Sequence, residues 1–360
     1  MSTAGSCTAS SLDLPPFSCN SPNFTTSPKL CTMSRPKKQH FVPRFYLANF
    51  VDPEGKVWTY DKREGSARAD RAENTAAETN FYSIKGLDGE YNDQLEEWLG
   101  KVESAAAPLY PKLLRGETLK GQERFDFSLF VATLYTRSPA MLNATARLYG
   151  DMIQAVGNVG FSDRGRLDET LDRMEAERGE KKTTKEEREK LFEFFNDKTR
   201  YTMSVDRRAG LMSISAAAPL TDILNDMSWI VVEPMRQLLI TSDSPVVRIT
   251  PTEYVHRSYG DGGFAHKKAF VTLPLAPTRM LEMYWGEQRS PGVQPAPKER
   301  GRLYNRQRAH FSERYLYSSR QDAGILRLGA KHKAAGLRID VGHPGKRVPI
   351  EIKRKLDGRS

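Results

Sequence analysis

Cysteine is almost absent from this chain of 360 residues, and its three cysteines, Cys7, Cys19 and Cys31, all lie near the N-terminus. The rest of the chain therefore cannot form disulfides, bind a metal through thiolates or use a cysteine nucleophile. The three cysteines do not match a zinc-binding pattern either, because no histidine lies nearby to complete the ligand set. We interpret them as incidental thiols of a solvated tail.

Long apolar runs are also absent. No segment approaches the ~18 consecutive apolar residues of a membrane-spanning helix, so none is expected. The N-terminus has neither a basic leader nor an apolar core, and we therefore expect no secretory signal and a cytoplasmic location. Hydrophobic residues make up 38% of the chain and charged residues 28%, which is typical of a globular protein.

The common catalytic motifs are missing as well. The chain contains no Walker loop and no G-x-G-x-x-G, H-E-x-x-H or G-x-S-x-G motif. Its histidines show no spacing typical of a metal site, so no metal site is predicted and no cofactor is assigned. These absences disfavour the common nucleotide hydrolases, zinc proteases and serine hydrolases.

The net charge of +10 is unevenly distributed. Residues 298–360 contain seventeen lysines and arginines but only six acidic residues, so the rest of the chain is close to neutral. A basic terminal region favours an anionic partner, and we predict nucleic acid or another polyanion bound through residues 298–360. The alternative is that these basic residues serve solubility alone.

Composition divides the chain into three parts. Residues 1–34 are rich in Ser, Thr, Pro and Asn and are predicted to form a disordered tail. Residues 35–318 are predicted to form a single α+β domain with a charged helical insertion near 161–200. Residues 319–360 form a basic C-terminal region with a predicted hairpin, because two apolar segments flank G-H-P-G-K-R.

Hydrophobic periodicity places most helices in the N-terminal half. Apolar residues recur at helical spacing over 93–114 and 122–150, where Pro108, Pro111 and Pro139 are expected to bend or end the helices. Short apolar runs separated by Pro, Gly and Ser then predict buried strands. The predicted fold is α+β, with a helical N-terminal half packed on a mostly antiparallel sheet. Further helices are predicted at 41–50, 75–83, 161–200, 207–227 and 302–315, and strands at 56–61, 229–233, 237–241, 246–250, 270–275 and 280–285.

The segment H-F-V-P-R-F-Y-L at 40–47 is the first candidate site. Histidine titrates near neutral pH, and arginine offers paired N–H donors to a carboxylate or phosphate. His40 and Arg44 at a helix start, where backbone N–H groups are free, would form a small anion site. The alternative, favoured by the residue types alone, is that His40 caps the helix and Arg44 pairs with an acidic residue.

The same segment resembles the start of a widespread microbial family, domain of unknown function 4238. The resemblance rests on five segments: Q-H-F-V-P-R-F-Y-L-A-N-F at 39–50, V-W-T-Y-D-K at 57–62, A-A-E-T-N-F-Y-S at 76–83, R-S-P at 137–139 and T-S-D-S-P at 241–245. It covers approximately residues 38–320 with gaps, and the charged segment 161–200 and the basic end match least well. The family implies no activity or site residue for this chain.

The second candidate site is T-S-D-S-P at 241–245, which follows the apolar run Q-L-L-I. Polar residues at the end of a buried strand are held rigidly and often line a cleft. Asp243 could act as a general base, a metal ligand or a partner for an arginine. The alternative is a turn in which Ser242 or Asp243 bonds nearby backbone N–H groups, and the proline that follows fits this turn.

Arg137 is the third candidate, because it lies at the flank of its helix stripe and two residues before Pro139. It could point into a crevice near the predicted bend. Glu103 flanks the stripe of the preceding helix and could be its partner. A structural ion pair is the more common outcome for two such residues.

The C-terminal segment R-I-D-V … P-I-E-I-K is the fourth candidate. Asp340, Glu351 and Lys353 have the order of a metal-dependent nuclease, in which two carboxylates hold Mg²⁺ and a lysine lies beside the attacking water. An alternating E-x-K is, however, ordinary on an exposed hairpin face, and that interpretation is favoured.

Three functions are compatible with these features. The first is a hydrolase or nuclease-like enzyme acting on a phosphate-bearing or other anionic substrate, with His40 and Asp243 catalytic and Arg44, Arg137 and Ser242 binding the ligand. The second is a non-catalytic nucleic-acid-binding protein that works through its basic end. The third is a protein-interaction module in which these motifs only hold the fold. The first requires the side chains to converge, which sequence does not reveal.

Overall fold

The computed structural model describes residues 38–337 except positions 80, 83, 86–90, 93, 162, 180–181, 198–204 and 256–260. The predicted N-terminal tail lies outside the described residues. So do Asp340, Glu351 and Lys353 of the predicted terminal hairpin.

Ten α-helices lie within the described residues. They are α1 (Arg44–Leu47), α2 (Gln94–Ala106), α3 (Tyr110–Leu114), α4 (Gly121–Thr136), α5 (Pro139–Gly160), α6 (Arg164–Arg178), α7 (Lys185–Asn196), α8 (Ala217–Asp226), α9 (Lys298–Phe311) and α10 (Ala323–Lys331). Short 3-10 helices lie at Ala48–Phe50, Ala72–Asn74, Ala107–Leu109, Arg207–Ala216 and Thr252–Tyr254.

Prolines set several of these boundaries, as the sequence predicted. Pro108 lies in the 3-10 turn that ends α2, and Pro111 lies in the first turn of α3. Pro139 is the first residue of α5, where the missing N–H costs nothing, and the side chain of Ser138 caps that helix by accepting from the Met141 N–H. The expected bend at Pro139 is therefore the boundary between two helices.

The described strands are β1 (Gln39–His40), β2 (Lys56–Asp61), β3 (Ser66–Arg71), β4 (Ala77–Glu78), β5 (Ile84–Lys85), β6 (Tyr91–Asn92), β7 (Ser228–Pro234), β8 (Thr241–Ser242), β9 (Val247–Ile249), β10 (Phe270–Ala276), β11 (Arg279–Tyr284), β12 (Val293–Ala296) and β13 (Tyr315–Ser318). They form a five-stranded sheet of order β12-β7-β11-β10-β9 and a four-stranded sheet of order β3-β2-β13-β8. Two smaller pairs are β1-β4 and β5-β6. Within the described part of the chain, the β12–β7 pair is parallel and the other pairs are antiparallel.

The predicted α+β fold with a mostly antiparallel sheet is confirmed. The alternation of strand side chains divides the five-stranded sheet into two buried faces. Leu273 and Leu281 pack in the main core with the N-terminal helices, whereas Ile230 and Met280 form a second cluster with Tyr304 of α9. The five-stranded sheet is thus covered on both faces, by the helical half on one and by α9 on the other.

Three local predictions were wrong. The helix expected at 75–83 is absent, because Ala77 and Glu78 pair with Gln39 and His40 as a short strand. Only Thr241 of the strand expected at 237–241 lies in a strand. The helix expected at 302–315 ends at Phe311.

The charged segment forms the helices α6 and α7, as predicted. A capping box begins α7, with Thr184 and Glu187 each bonding the other's backbone N–H. Arg188 pairs with acidic residues of α6, which holds the two helices together. In the part of the chain that the structure describes, no helix is both long and apolar enough to cross a bilayer.

Gly210 allows the 3-10 helix Arg207–Ala216 to approach α5 closely. A Cβ at this position would overlap the backbone carbonyl of Leu142. Gly210→Ala is therefore expected to lower the free energy of unfolding by ~1–3 kcal/mol through overpacking. The control is Gly100→Ala in α2, where nothing lies within 4 Å and a gain of ~0.5–1 kcal/mol is expected. Urea denaturation measures both, and an unchanged stability of Gly210→Ala would contradict the close packing.

Candidate functional site

His40 is held in a defined orientation by the strand pair at the start of the fold. It pairs with Ala77 across β1 and β4, and its half-buried ring places Nε2 at 3.1 Å from the carbonyl oxygen of Glu73. A carbonyl oxygen can only accept, so Nε2 carries the proton and donates it. In that tautomer Nδ1 has a free lone pair, and no described residue bonds to it.

Arg44 begins α1, directly after Pro43. Its side chain is 61% exposed and lies 3.5 Å from the Glu73 carboxylate. Since α1 has only four residues, its dipole adds little to the anion site predicted at the helix start. The positive charge at this position comes from the Arg44 guanidinium, which is exposed enough to reach a ligand.

Arg137 follows the last residue of α4 and is buried. Its Nη2 donates to Oε1 of Glu103 at 2.7 Å, which confirms the predicted ion pair. Burial opposes the charge of Arg137, but Glu103, Tyr82 and Glu96 together hold its pKa above the usual range. The Glu103 side chain is 28% exposed, so the pair presents a fixed carboxylate close to the surface.

His40, Arg44, Glu73, Glu103 and Arg137 form one group, which we call the His40 cluster. Burial is the main cause that lowers the pKa of His40, and the hydrogen bond to Glu73 opposes it. The charges of Arg44 and Arg137 lower this pKa further, whereas that of Glu103 raises it. Three of the predicted site residues, His40, Arg44 and Arg137, are therefore close enough for their charges to interact, and His40 is neutral at pH 7.

Asp243 and Ser242 lie in a different environment. The buried carboxylate of Asp243 accepts hydrogen bonds at 2.6–2.9 Å from three consecutive backbone N–H groups, those of residues 313–315. Burial raises the pKa of Asp243 to about 6, while the three N–H groups and Lys62 oppose that rise. The Ser242 hydroxyl is buried and accepts from the Ser244 N–H at 3.1 Å. The bond of Ser242 matches the turn that the sequence offered as the alternative, whereas the carboxylate of Asp243 binds backbone N–H groups 70–72 positions later.

Comparison with known proteins adds the family. A family profile described as "Protein of unknown function (DUF4238)" matches residues 38–322. The chain belongs to this family. The search of curated proteins and the search of solved structures found no match for this DUF4238 protein.

Lys62 is an important buried residue of this DUF4238 protein that the sequence did not reveal. Its Nζ donates to three backbone carbonyls at 2.5–3.3 Å, those of Ala309, Ser312 and Ala335. Burial lowers the pKa of Lys62, and the charges of Asp243 and Glu313 oppose this. Lys62 therefore binds the end of α9, and Asp243 binds the segment that follows it.

A second buried polar group, also missed, lies between α9 and the five-stranded sheet. Glu282 of β11 accepts from the Tyr304 hydroxyl and from Nη2 of Arg300 at 2.5 Å. Arg308 is fully buried, and its Nη2 donates to both oxygens of Thr272 at 2.6–2.8 Å. Burial lowers the pKa of Arg308 to about 9. The spacing of residues 300, 304 and 308 by four, which places them on one helix face, was the available signal.

Among the described residues, no group of three or more His, Cys, Asp or Glu side chains could hold a metal ion. A cavity of about 20 Å³ lies between Gly116, Arg124, Trp229 and Gly292. It has room for about one water molecule. The His40 cluster is therefore the group that best combines a proton acceptor, exposed positive charge and solvent access.

Proposed function

We propose that this DUF4238 protein is a hydrolase that acts on a phosphate-bearing or other anionic substrate at the His40 cluster. The orientation of the His40 ring carries the proposal. Because Nε2–H is donated to the carbonyl of Glu73, Nδ1 can accept a proton from a water molecule at the surface. The lowered pKa keeps the ring in the neutral form that a general base requires.

The charges around His40 suit an anion. Arg44 is exposed and can offer paired N–H donors to a phosphate, at the cost of a long and solvated contact with Glu73. Arg137 is enclosed, so it is expected to position Glu103 and to add positive potential without touching the substrate. The carboxylate of Glu103 lowers the positive potential next to it and repels an anion. It therefore favours substrates whose neutral part lies beside Glu103.

The reaction follows from these roles. The oxygen of a water molecule attacks the phosphorus of a substrate held by Arg44, and its proton passes to Nδ1 of His40. The bond between phosphorus and the leaving oxygen breaks on the side opposite the attacking water, the leaving oxygen takes a proton from the solvent, and the imidazolium releases its proton to the solvent. His40 is neutral again at the end, and water has been divided between the two products.

Hydrolysis of p-nitrophenyl phosphate and bis(p-nitrophenyl) phosphate tests this proposal. We expect turnover of at least one of them, and we expect His40→Ala to reduce kcat/KM by ~10²–10⁴-fold, the usual contribution of a general base. The rate should rise with pH below 6.5 and reach a plateau by neutral pH, because the base is active when deprotonated and its pKa is lowered.

Arg44→Ala should mainly raise KM, and Arg115→Ala is its matched control. Arg115 is also 61% exposed and also pairs with a glutamate, but it lies outside the His40 cluster. Equal effects of the two arginine variants would contradict the proposed binding role. If neither compound is hydrolysed and His40→Ala only lowers the melting temperature, the motif holds the fold and the hydrolase proposal is wrong.

A further inference from the structure

One side of α9 carries a regular row of basic residues. Lys298, Arg302, Arg306 and His310 follow each other at intervals of four, so they lie along one side of the helix at ~6 Å steps. Arg302 is exposed, and Lys298 and Arg306 are partly exposed. The opposite side of α9 carries Tyr304 and Arg308, which bond to the five-stranded sheet.

The basic residues of α10 lie beside the end of this row. The rings of His310 and His332 are in contact, with centroids 5.6 Å apart, which joins the C-terminal ends of the two helices. Arg327 and Lys331 are exposed on α10, and Lys333 is exposed directly after it. We call these basic residues of the two adjoining helices the basic face: Lys298, Arg302, Arg306, Arg327, Lys331 and Lys333.

The positive charge of the basic face is not neutralised by its surroundings. Within the described part of the chain, none of its six cations takes part in an ion pair. Two acidic residues belong to these helices. Glu299 lies in the first turn of α9, and Asp322, which precedes α10, pairs with Arg320 and not with a residue of the basic face. Burial and three charges lower the pKa of His332, and all three charges are cations, those of Lys62, Arg306 and Lys331.

We infer that the basic face binds the phosphate backbone of double-stranded nucleic acid. Unpaired lysines and arginines on rigid helices gain affinity by displacing the counterions condensed on a duplex. A fixed row of charges suits the regular backbone of a duplex better than a flexible strand. Residues 338–360, which lie outside the described residues, add seven further lysines and arginines against three acidic residues to the charge of the chain.

The apolar residues of the protein favour a duplex over the two other common polyanions. A helix that lies on a membrane inserts large apolar side chains, and a single-strand site stacks bases on aromatic side chains. The exposed large hydrophobic residues of the described chain all lie outside α9 and α10. The basic face therefore has charge without the apolar or aromatic contacts that a lipid surface or a single strand requires.

This surface is independent of the proposed hydrolase. The His40 cluster lies on β1, α1 and the ends of α2 and α4, whereas the basic face lies on the last two described helices. Binding of a duplex can therefore succeed or fail whatever the activity of His40.

Fluorescence anisotropy with a labelled 25-base-pair DNA duplex of mixed sequence tests the inference on the full chain. We expect binding in 50 mM salt that weakens steeply as salt is raised. The triple variant Arg302→Glu/Arg327→Glu/Lys331→Glu should weaken binding at least about tenfold. It should also lower the slope of log Kd against log salt by about 2–3, close to ~0.9 for each phosphate that the variant no longer neutralises.

The matched control is Arg166→Glu/Arg173→Glu/Lys190→Glu, which changes exposed residues of α6 and α7. Each substitution removes two charges, so both variants have a net charge of +4 in place of +10. The control should retain affinity within about threefold, and circular dichroism should show both variants folded. Equal loss in the two variants would show attraction by net charge alone and overturn the inference. So would tighter binding to poly(U) than to the duplex, or binding to phosphatidylserine vesicles but not to the duplex.

Discussion

Asp243→Ala is expected to lower the free energy of unfolding by ~3–5 kcal/mol, as for other buried charged groups that lose their partner. The substitution leaves the backbone N–H groups of residues 313–315 without their acceptor and removes the negative charge that opposes the burial of Lys62. An unsatisfied buried donor costs ~1–3 kcal/mol, so three of them account for a loss of this size. Urea denaturation at pH 7 measures it.

Ser244→Ala is the control for this prediction. Its hydroxyl also donates to Asp243, but at 3.3 Å and without a charge of its own, so a loss below ~1 kcal/mol is expected. If the Asp243→Ala protein is as stable as the parent protein but no longer hydrolyses the phosphate esters, the structural role of Asp243 is contradicted. That outcome would assign Asp243 the catalytic role that its sequence position allowed.

Glu282→Gln is expected to change how stability depends on pH. Burial raises the pKa of Glu282 to about 7, against the opposing charges of Arg300 and Arg289. The folded protein therefore keeps a proton that the unfolded chain releases above its ordinary pKa, and stability falls as pH rises from about 4.5 to about 7. A shift of this size corresponds to ~3 kcal/mol. Glutamine keeps an acceptor for Tyr304 and does not titrate, so the variant should gain ~3 kcal/mol on the parent protein across this range.

The comparison of the two proteins isolates Glu282 from other titrating groups. Burial and neighbouring cations lower the pKa of His310 to about 4, which makes stability rise with pH in the same range, but this histidine is present in both proteins. The control is Glu233→Gln, since the Glu233 side chain is 46% exposed and pairs with Arg279 at the surface. Parallel stability curves for Glu282→Gln and the parent protein would show that Glu282 is charged throughout and that the raised pKa is wrong.

The sequence predicted correctly those helices and strands whose bounds are set by neighbouring residues. Strand β2 has the predicted bounds, because turn residues directly precede it and its apolar residues alternate with polar ones. Pro108 lies just past the end of α2 and Pro111 lies in the first turn of α3, because a proline acts through the adjacent backbone. The segment 75–83 was assigned to the wrong element because its partner, residues 39–40, lies far away in sequence and overrides local preference.

In the candidate site, too, contacts between side chains on neighbouring segments were predictable and contacts with distant backbone groups were not. His40 and Arg44 are four residues apart on one segment, and their proximity was predictable. The Arg137–Glu103 pair was predictable from helix faces. The partners of Asp243 were not, because they are backbone N–H groups some 70 positions later and carry no side-chain signature. Lys62 was missed for the same reason, since each of its acceptors is a backbone carbonyl.

The position of β13 also determines when the chain can complete its fold during synthesis. β13 lies between β2 and β8, so β2 meets this neighbour only after Ser318 has left the ribosome. The Tyr60 hydroxyl likewise donates to the carbonyl of Arg320, 260 positions later. At ~5–20 residues per second, β2 waits roughly 10–50 s for its partner. During that time the β2–β3 hairpin has an open edge, whose unpaired N–H and C=O groups can pair with a strand of another chain.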